Sequence, residues 1–235
     1  MKRVLVIMMV LALTAGHALG VGFGLGVGDT AAKLDGGTFR VGGGAVVADD
    51  VKFYGGRATF SVMDVLRVFV EGGVVDLDMW DDNGYGVGGG VVFCVPFDLP
   101  VDLAVRLGIV KPVFEDMSGT VPGPGGVAAA SWDISIIGGN AAVIASYDLE
   151  QLVKGLSVYA VGGVNVIRTK TEWSVTVDPG LGFGGVGASD DETDTATDPM
   201  VGGGVLWSMN DLISIYAEVL HIDDVFGAGG VRITF

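Results

Sequence analysis

Five arginines, Arg40, Arg57, Arg67, Arg106 and Arg232, and three acids, Glu71, Asp102 and Glu218, are the residues of this chain best spaced to act together. Gathered on one face, such charges either lock into ion pairs or line a constriction that favours anions. A second group, Asp76 and Asp78 with His221 and Asp223, could set a carboxylate-oriented histidine as a general base. A third, Asp178, Asp190, Asp191, Glu192, Asp194 and Asp198, offers oxygen ligands for Ca²⁺ but lacks the fixed spacing of an EF-hand loop. It reads as a solvated surface loop, open to extracellular contact. The lone Cys94 reads as a small filler, and neither a metal nor a cofactor is expected.

The elements that must position these charges are strands. Ten segments of alternating polarity run over 37–48, 52–63, 65–76, 84–95, 101–113, 131–146, 155–169, 199–209, 212–222 and 225–235. Each is about long enough for a tilted strand to cross a bilayer. Short connections follow alternate segments, near 64, 97–100, 148–154 and 209–211, while 114–130 and 170–198 are long and rich in Gly, Pro, Asp or Thr. Short turns on one side and long loops on the other are the layout of a transmembrane barrel. The fold expected is therefore all-β, a closed antiparallel up-and-down barrel of about ten strands, with eight to twelve allowed. The segment 131–146 changes phase near Gly138 and Gly139, and 21–28 (VGFGLGVG) is either a further strand or a lead-in.

A run free of charge marks one face of several segments, Val101, Leu103, Val105, Leu107 and Ile109 among them. Tyr54, Gly56, Ala58, Phe60 and Val62 form one such face; Leu66, Val68, Val70, Gly72 and Val74 form the next. The opposite parity collects the five arginines above. If the turn after residue 63 centres on Asp64, antiparallel pairing sets Arg57 opposite Glu71 on the inner face. Glu218 and Asp102 are offered as further partners for Arg106 and Arg232. Two readings remain open: a lumen filled by an ion-pair network, or a narrow Arg-lined channel for small anionic solutes.

The first twenty residues set Lys2 and Arg3 before the apolar run 4–13 and the small residues Ala15, Gly16, Ala18 and Gly20, the layout of a cleaved secretory signal. Residues 21–235 then form the barrel domain. Without Lys2 and Arg3, 11 basic residues face 28 acidic ones, which argues against nucleic acid as a partner. Trp80, Tyr85, Trp132 and Trp173 fall near one set of strand ends, and Tyr147 and Trp207 near the other, as two interfacial belts against lipid would require. Repeated VGG and VGGG runs place glycine near mid-strand, where it lets a closed sheet bend.

The chain ends VFGAGGVRITF, with Val231, Ile233 and Phe235 on one face and an aromatic terminus. This strand, with the export signal and the ten alternating segments, resembles the small bacterial outer-membrane barrels: opacity-type surface proteins, the OmpA transmembrane domain and, more loosely, porin-like barrels. The resemblance covers the mature chain and rests on architecture, without a family-specific motif. It implies residence in the outer-membrane lipid, periplasmic chaperones, insertion by the barrel assembly machinery reading the strand that ends in Phe235, and a role in envelope integrity, surface contact or slow solute passage; no catalysis is expected. An omptin-like protease would use Asp pairs across the barrel mouth. Here the chain is shorter than that family and the His and Asp come in the opposite order.

Overall fold

A computed structural model of the chain describes residues 28–48, 51–77, 84–96, 100–113, 117–123, 126–178 and 186–235. These form eleven strands: β1 (Phe39–Val47), β2 (Val51–Met63), β3 (Leu66–Leu77), β4 (Gly84–Cys94), β5 (Asp102–Val113), β6 (Met117–Gly123), β7 (Gly126–Asp148), β8 (Leu156–Asp178), β9 (Val186–Ser208), β10 (Ile213–Ile222) and β11 (Asp224–Thr234). All pairings are antiparallel. β1 pairs with both β2 and β11, and β5 pairs with β7, so ten strands close into a barrel and β6 lies outside the ring. The expected export signal, residues 1–20, lies outside the described residues.

The ladder can be followed from Arg57 to β9 in both directions. Through Glu71, Gly88, Val110, Gly138 and Ile167 it reaches Ala196. Through Gly42, Arg232 and Ser214 it reaches Ser208, twelve residues further along β9. That stagger is what closing a tilted sheet demands, with strands inclined by about 40°. At the near rim, which carries the short turns, the peptide groups of Phe39 and Phe235 exchange hydrogen bonds of 3.2 and 2.8 Å. The first and last strands are thereby joined.

Alternation decides which side chains face out. Phe39, Phe60, Val68, Val91 and Leu107 stand in one row across five strands, all exposed. Val41, Val70, Ile109, Val143, Val219 and Val231 continue the apolar coat, with exposures from 42 to 64%. No protein covers it among the described residues. So large an uncharged surface exceeds what a soluble monomer leaves open.

Three expectations need correction. The stretches 114–130 and 170–198 are not loops alone: β7, β8 and β9 are 23 residues each and rise past the barrel as a ribbon flanked by β6. Thr169 pairs with Asp194, Lys170 with Thr193 and Thr171 with Glu192. Both faces of the ribbon are polar there, so the period-two hydrophobic signal disappears although the Thr-rich backbone suits a strand. Second, 131–146 keeps one phase. Ile136, Ala142, Ile144 and Ser146 are all buried on one parity, and the ladder to β8 runs unbroken through Gly138 and Gly139. Third, of the stretch 21–28 only Gly28 is among the described residues; it is not in a strand, and with residues 29–31 it is buried in the lumen.

Candidate functional site: the barrel lumen

The inward residues divide by height. On β2, Val51 and Phe53 lie toward the far rim, Arg57 at mid-strand, and Thr59 and Ser61 toward the near rim. On β10, Ser214, Tyr216 and Glu218 precede Leu220 and Ile222; on β11, Phe226 at the far end faces the barrel centre as Arg232 does at the near end. Val75, Val110, Ile136, Ile167 and Met200 complete the far half, all within 5% exposure. The far half of the lumen is therefore mainly apolar, with Asn165 and Asp198 set among the aliphatic side chains, and the near half is charged. The network of Arg, Glu and Asp expected to fill most of the lumen is concentrated, among the described residues, in the near half. Inward apolar residues were masked in sequence because the outward face is apolar too.

In the near half, Arg57 and Glu71 stand directly opposite across the β2–β3 ladder. The Arg57 Nε and Nη2 donate to Glu71 Oε2 at 2.8 and 2.6 Å. Phe69 lies under two cations, the Arg57 and Arg106 guanidiniums standing 5.0 and 4.9 Å from its ring centroid. Such stacking is most favourable away from water. Arg106 Nη1 donates to Asn140 Oδ1 at 3.0 Å. Glu218, fully enclosed, accepts from the Tyr159 hydroxyl at 2.7 Å and from the Gly28 amide at 2.8 Å. Asp102 is corrected: it shares the inward parity but sits exposed at the near rim, and Arg106 and Arg232 take other partners.

The residue that organises the near half is Asp29, which lies ahead of the ten expected strand segments. Its Oδ1 lies 3.1 Å from Arg232 Nη1, 3.3 Å from Arg67 Nη1 and 3.6 Å from Arg40 Nη1. Burial alone would raise the Asp29 pKa, but Arg67, Arg232 and Arg40 outweigh it and hold the carboxyl down to about 2. Its neighbours fix the segment: Arg67 Nη2 donates to the Thr30 carbonyl at 2.9 Å, and the Ala31 amide donates to Ser146 Oγ at 3.0 Å. Cys94, buried against Arg67, completes the wall on that side. The signal that could have found Asp29 is the count of inward charge, five arginines with too few strand-borne acids to answer them.

Glycines let aromatic rings lie against the wall. A Cβ on Gly204 would come within 2.6 Å of the Tyr159 hydroxyl, and one on Gly90 within 2.7 Å of the Phe69 ring. The mid-strand glycines therefore seat the very rings that carry Glu218 and the two guanidiniums.

The remaining sequence candidates are scattered. His221 is exposed on the outer face of β10, while Asp76 pairs with Lys52 on β3; β2, β1 and β11 stand between those strands. Among the described residues His221 and Asp76 therefore do not meet, and Asp78 lies outside those residues. Asp190, Asp191, Glu192 and Asp194 are exposed on β9, which above Val201 has β8 alone as a described neighbour. Charge along an open edge discourages pairing with another sheet. Tyr85, Tyr147 and Trp207 face outward and are exposed, as belt residues would be. Trp132 and Trp173 stand opposite each other in the β7–β8 ladder, beyond Gly138 where the β5–β7 ladder ends. Trp80 lies outside the described residues. Val231, Ile233 and Phe235 are exposed on the outer face, and the Phe235 ring centroid is 6.3 Å from that of Phe39.

No protein-family model matches the chain, and comparison with curated proteins finds no match. In fold it is similar to solved outer-membrane barrels. The N-terminal barrel domain of Pseudomonas aeruginosa OprF has a TM-score of 0.37 at 11% identity, covering 86% of this chain and 100% of that one. The attachment invasion locus protein Ail of Yersinia pestis has 0.34 at 13%, over 84% and 95%. The Pseudomonas putida toluene transporter TodX has 0.45 at 12%, over 87% and 68%. These likenesses extend to architecture alone.

Proposed function

We propose that this chain is an outer-membrane barrel with a closed lumen, acting as a structural or surface-contact element of the cell envelope rather than as a route for solute. The uncovered apolar coat supports the membrane setting, since the same coat in water would associate. The observation that carries the closed reading is the double plug. Residues 28–31 occupy the near half through Asp29, the far half is packed with buried aliphatic and aromatic side chains, and the cavity left beside Asp29 measures about 20 Å³. That is room for about one water. Export through residues 1–20, periplasmic chaperones and recognition of the strand ending in Phe235 by the assembly machinery belong to the same reading. Surface contact falls to the acidic ribbon of β7, β8 and β9.

The test is single-channel recording of the refolded protein in a planar bilayer, with insertion established by heat-modifiable migration. Silence from folded, inserted protein is expected. Stable steps whose anion preference falls in Arg57→Ala and Arg106→Ala would replace this reading with the Arg-lined channel.

A further inference from the structure

We propose that the near half of the lumen holds a resident monovalent anion of halide size, chloride in ordinary salt, in the cavity bounded by Asp29, Arg40, Arg57, Thr59, Tyr216 and Arg232. The inference is independent of whether the barrel conducts.

The first ground is charge. Arg40, Arg57, Arg67, Arg106 and Arg232 converge on the near half, where the described carboxylates are Asp29, Glu71 and Glu218. Asp102 is exposed at the rim, and Asp198 lies beyond, paired in register with Asn165 toward the far half. The segment that precedes Gly28 contains no acidic residue at all. Among the described residues two guanidiniums are thus in excess, in a space where an uncompensated charge is costly.

The second ground is geometry. A single oxygen, Asp29 Oδ1, serves three arginines, and the Arg40 contact at 3.6 Å is beyond hydrogen-bond length. Arg40 Nε is buried with no acceptor. Arginine has five donors and cannot shed its charge to escape the site. The cavity beside these groups is lined by Arg40, Arg57 and Arg232, by Thr59 and Tyr216 and by Gly28 and Gly42, with Asp29 its one acidic residue. Its volume of about 20 Å³ has room for something the size of a water or a monatomic ion. Water would fill the space and leave the charge; a halide answers both.

The experiment uses the full refolded protein in detergent. Crystals grown or soaked in bromide are expected to show an anomalous peak between Arg40, Arg57 and Arg232. In solution, the melting midpoint at constant ionic strength should be higher in chloride or bromide than in gluconate, and the rise should saturate. Arg40→Gln should weaken half-saturation about tenfold, and Asp29→Asn, which removes the competing carboxylate, should tighten it by a similar factor. A salt effect on the outer surface would follow neither substitution. Equal midpoints in chloride and gluconate, a response unchanged in Arg40→Gln, or a cavity without anomalous signal would overturn the proposal and leave a water there. The bromide measurement needs the wild type alone, so it decides the matter even where a variant does not fold.

Discussion

Asp29 and Arg232, 203 residues apart in the chain, meet inside the barrel with Oδ1 3.1 Å from Nη1. The same oxygen reaches Arg67 on β3 at 3.3 Å, so a carboxylate ahead of the first strand ties the last strand to the third across the lumen. Closure of the ring by backbone hydrogen bonds and filling of its near half by the N-terminal segment are thus coupled through one side chain.

Replacing Asp29 should consequently cost more than its position before the first strand suggests. Asp29→Ala leaves Arg67, with no exposed surface, beside Arg40 and Arg232 without their shared counter-charge. Removing one partner from a buried ionic group typically costs about 3–5 kcal/mol. The midpoint of urea unfolding in lipid or detergent should fall accordingly, and the temperature of heat-modifiable migration with it. A variant indistinguishable from wild type in both would show that the segment merely rests in the lumen.

The depressed Asp29 pKa sets a pH window. A carboxyl held at about 2, against an ordinary value of 3.8, contributes stability that is fully present above about pH 4 and lost as pH falls toward 2. The contribution is roughly 2 kcal/mol. Pepsin cleavage of the N-terminal segment should accelerate progressively as pH falls from about 4 toward 2. In Asp29→Asn the acceleration should vanish, because no proton is then linked to the contact. Equal profiles in the two proteins would assign the acid response to other groups.

Much of this architecture is legible in the residues, and the parts that are not have physical reasons. Alternation in Val51–Met63 and Ile213–Ile222 assigns wall faces because one face meets an apolar surround. The turn at Asp64 gives the Arg57–Glu71 register, since antiparallel partners lie symmetrically about it. Asp29 escapes notice because an irregular segment has no period to read. Phe53, Val75 and Phe226 escape because an apolar inner residue beside an apolar outer one looks like a buried run. The ribbon escapes because Thr and Asp on both faces look like a loop.

Glycine substitutions should separate close-packed from open positions. A Cβ on Gly204 would lie 2.5 Å from the Ala217 carbonyl oxygen and 2.6 Å from the Tyr159 hydroxyl, which donates to Glu218. Gly204→Ala should destabilise by about 1–3 kcal/mol through backbone displacement and loss of that hydrogen bond. Gly162, where an added Cβ meets nothing within 4 Å, should accept Ala neutrally or with a gain of about 0.5–1 kcal/mol. Matched unfolding curves for the two variants check the contrast, and similar losses at both sites would contradict it.

The Arg57–Glu71 pair offers the sharpest separation between a charge needed for itself and a charge needed for its partner. Glu71→Gln keeps the shape but leaves the Arg57 guanidinium over Phe69 with its principal counter-charge gone. Arg57→Met leaves Glu71 buried without its donor. Each single change should therefore destabilise strongly. The double variant, which buries neither charge at this position, should recover a large part of the loss, because replacing a buried pair by packed neutral groups is often close to neutral. The coupling in a double-mutant cycle should reach about 2–3 kcal/mol, at the upper end for residues in direct contact. Additive losses would mean that Arg57 acts mainly through Phe69 and Arg106 rather than through Glu71. The aromatic contact can then be probed by Phe69→Leu, which removes the ring under both guanidiniums and leaves the carboxylate in place.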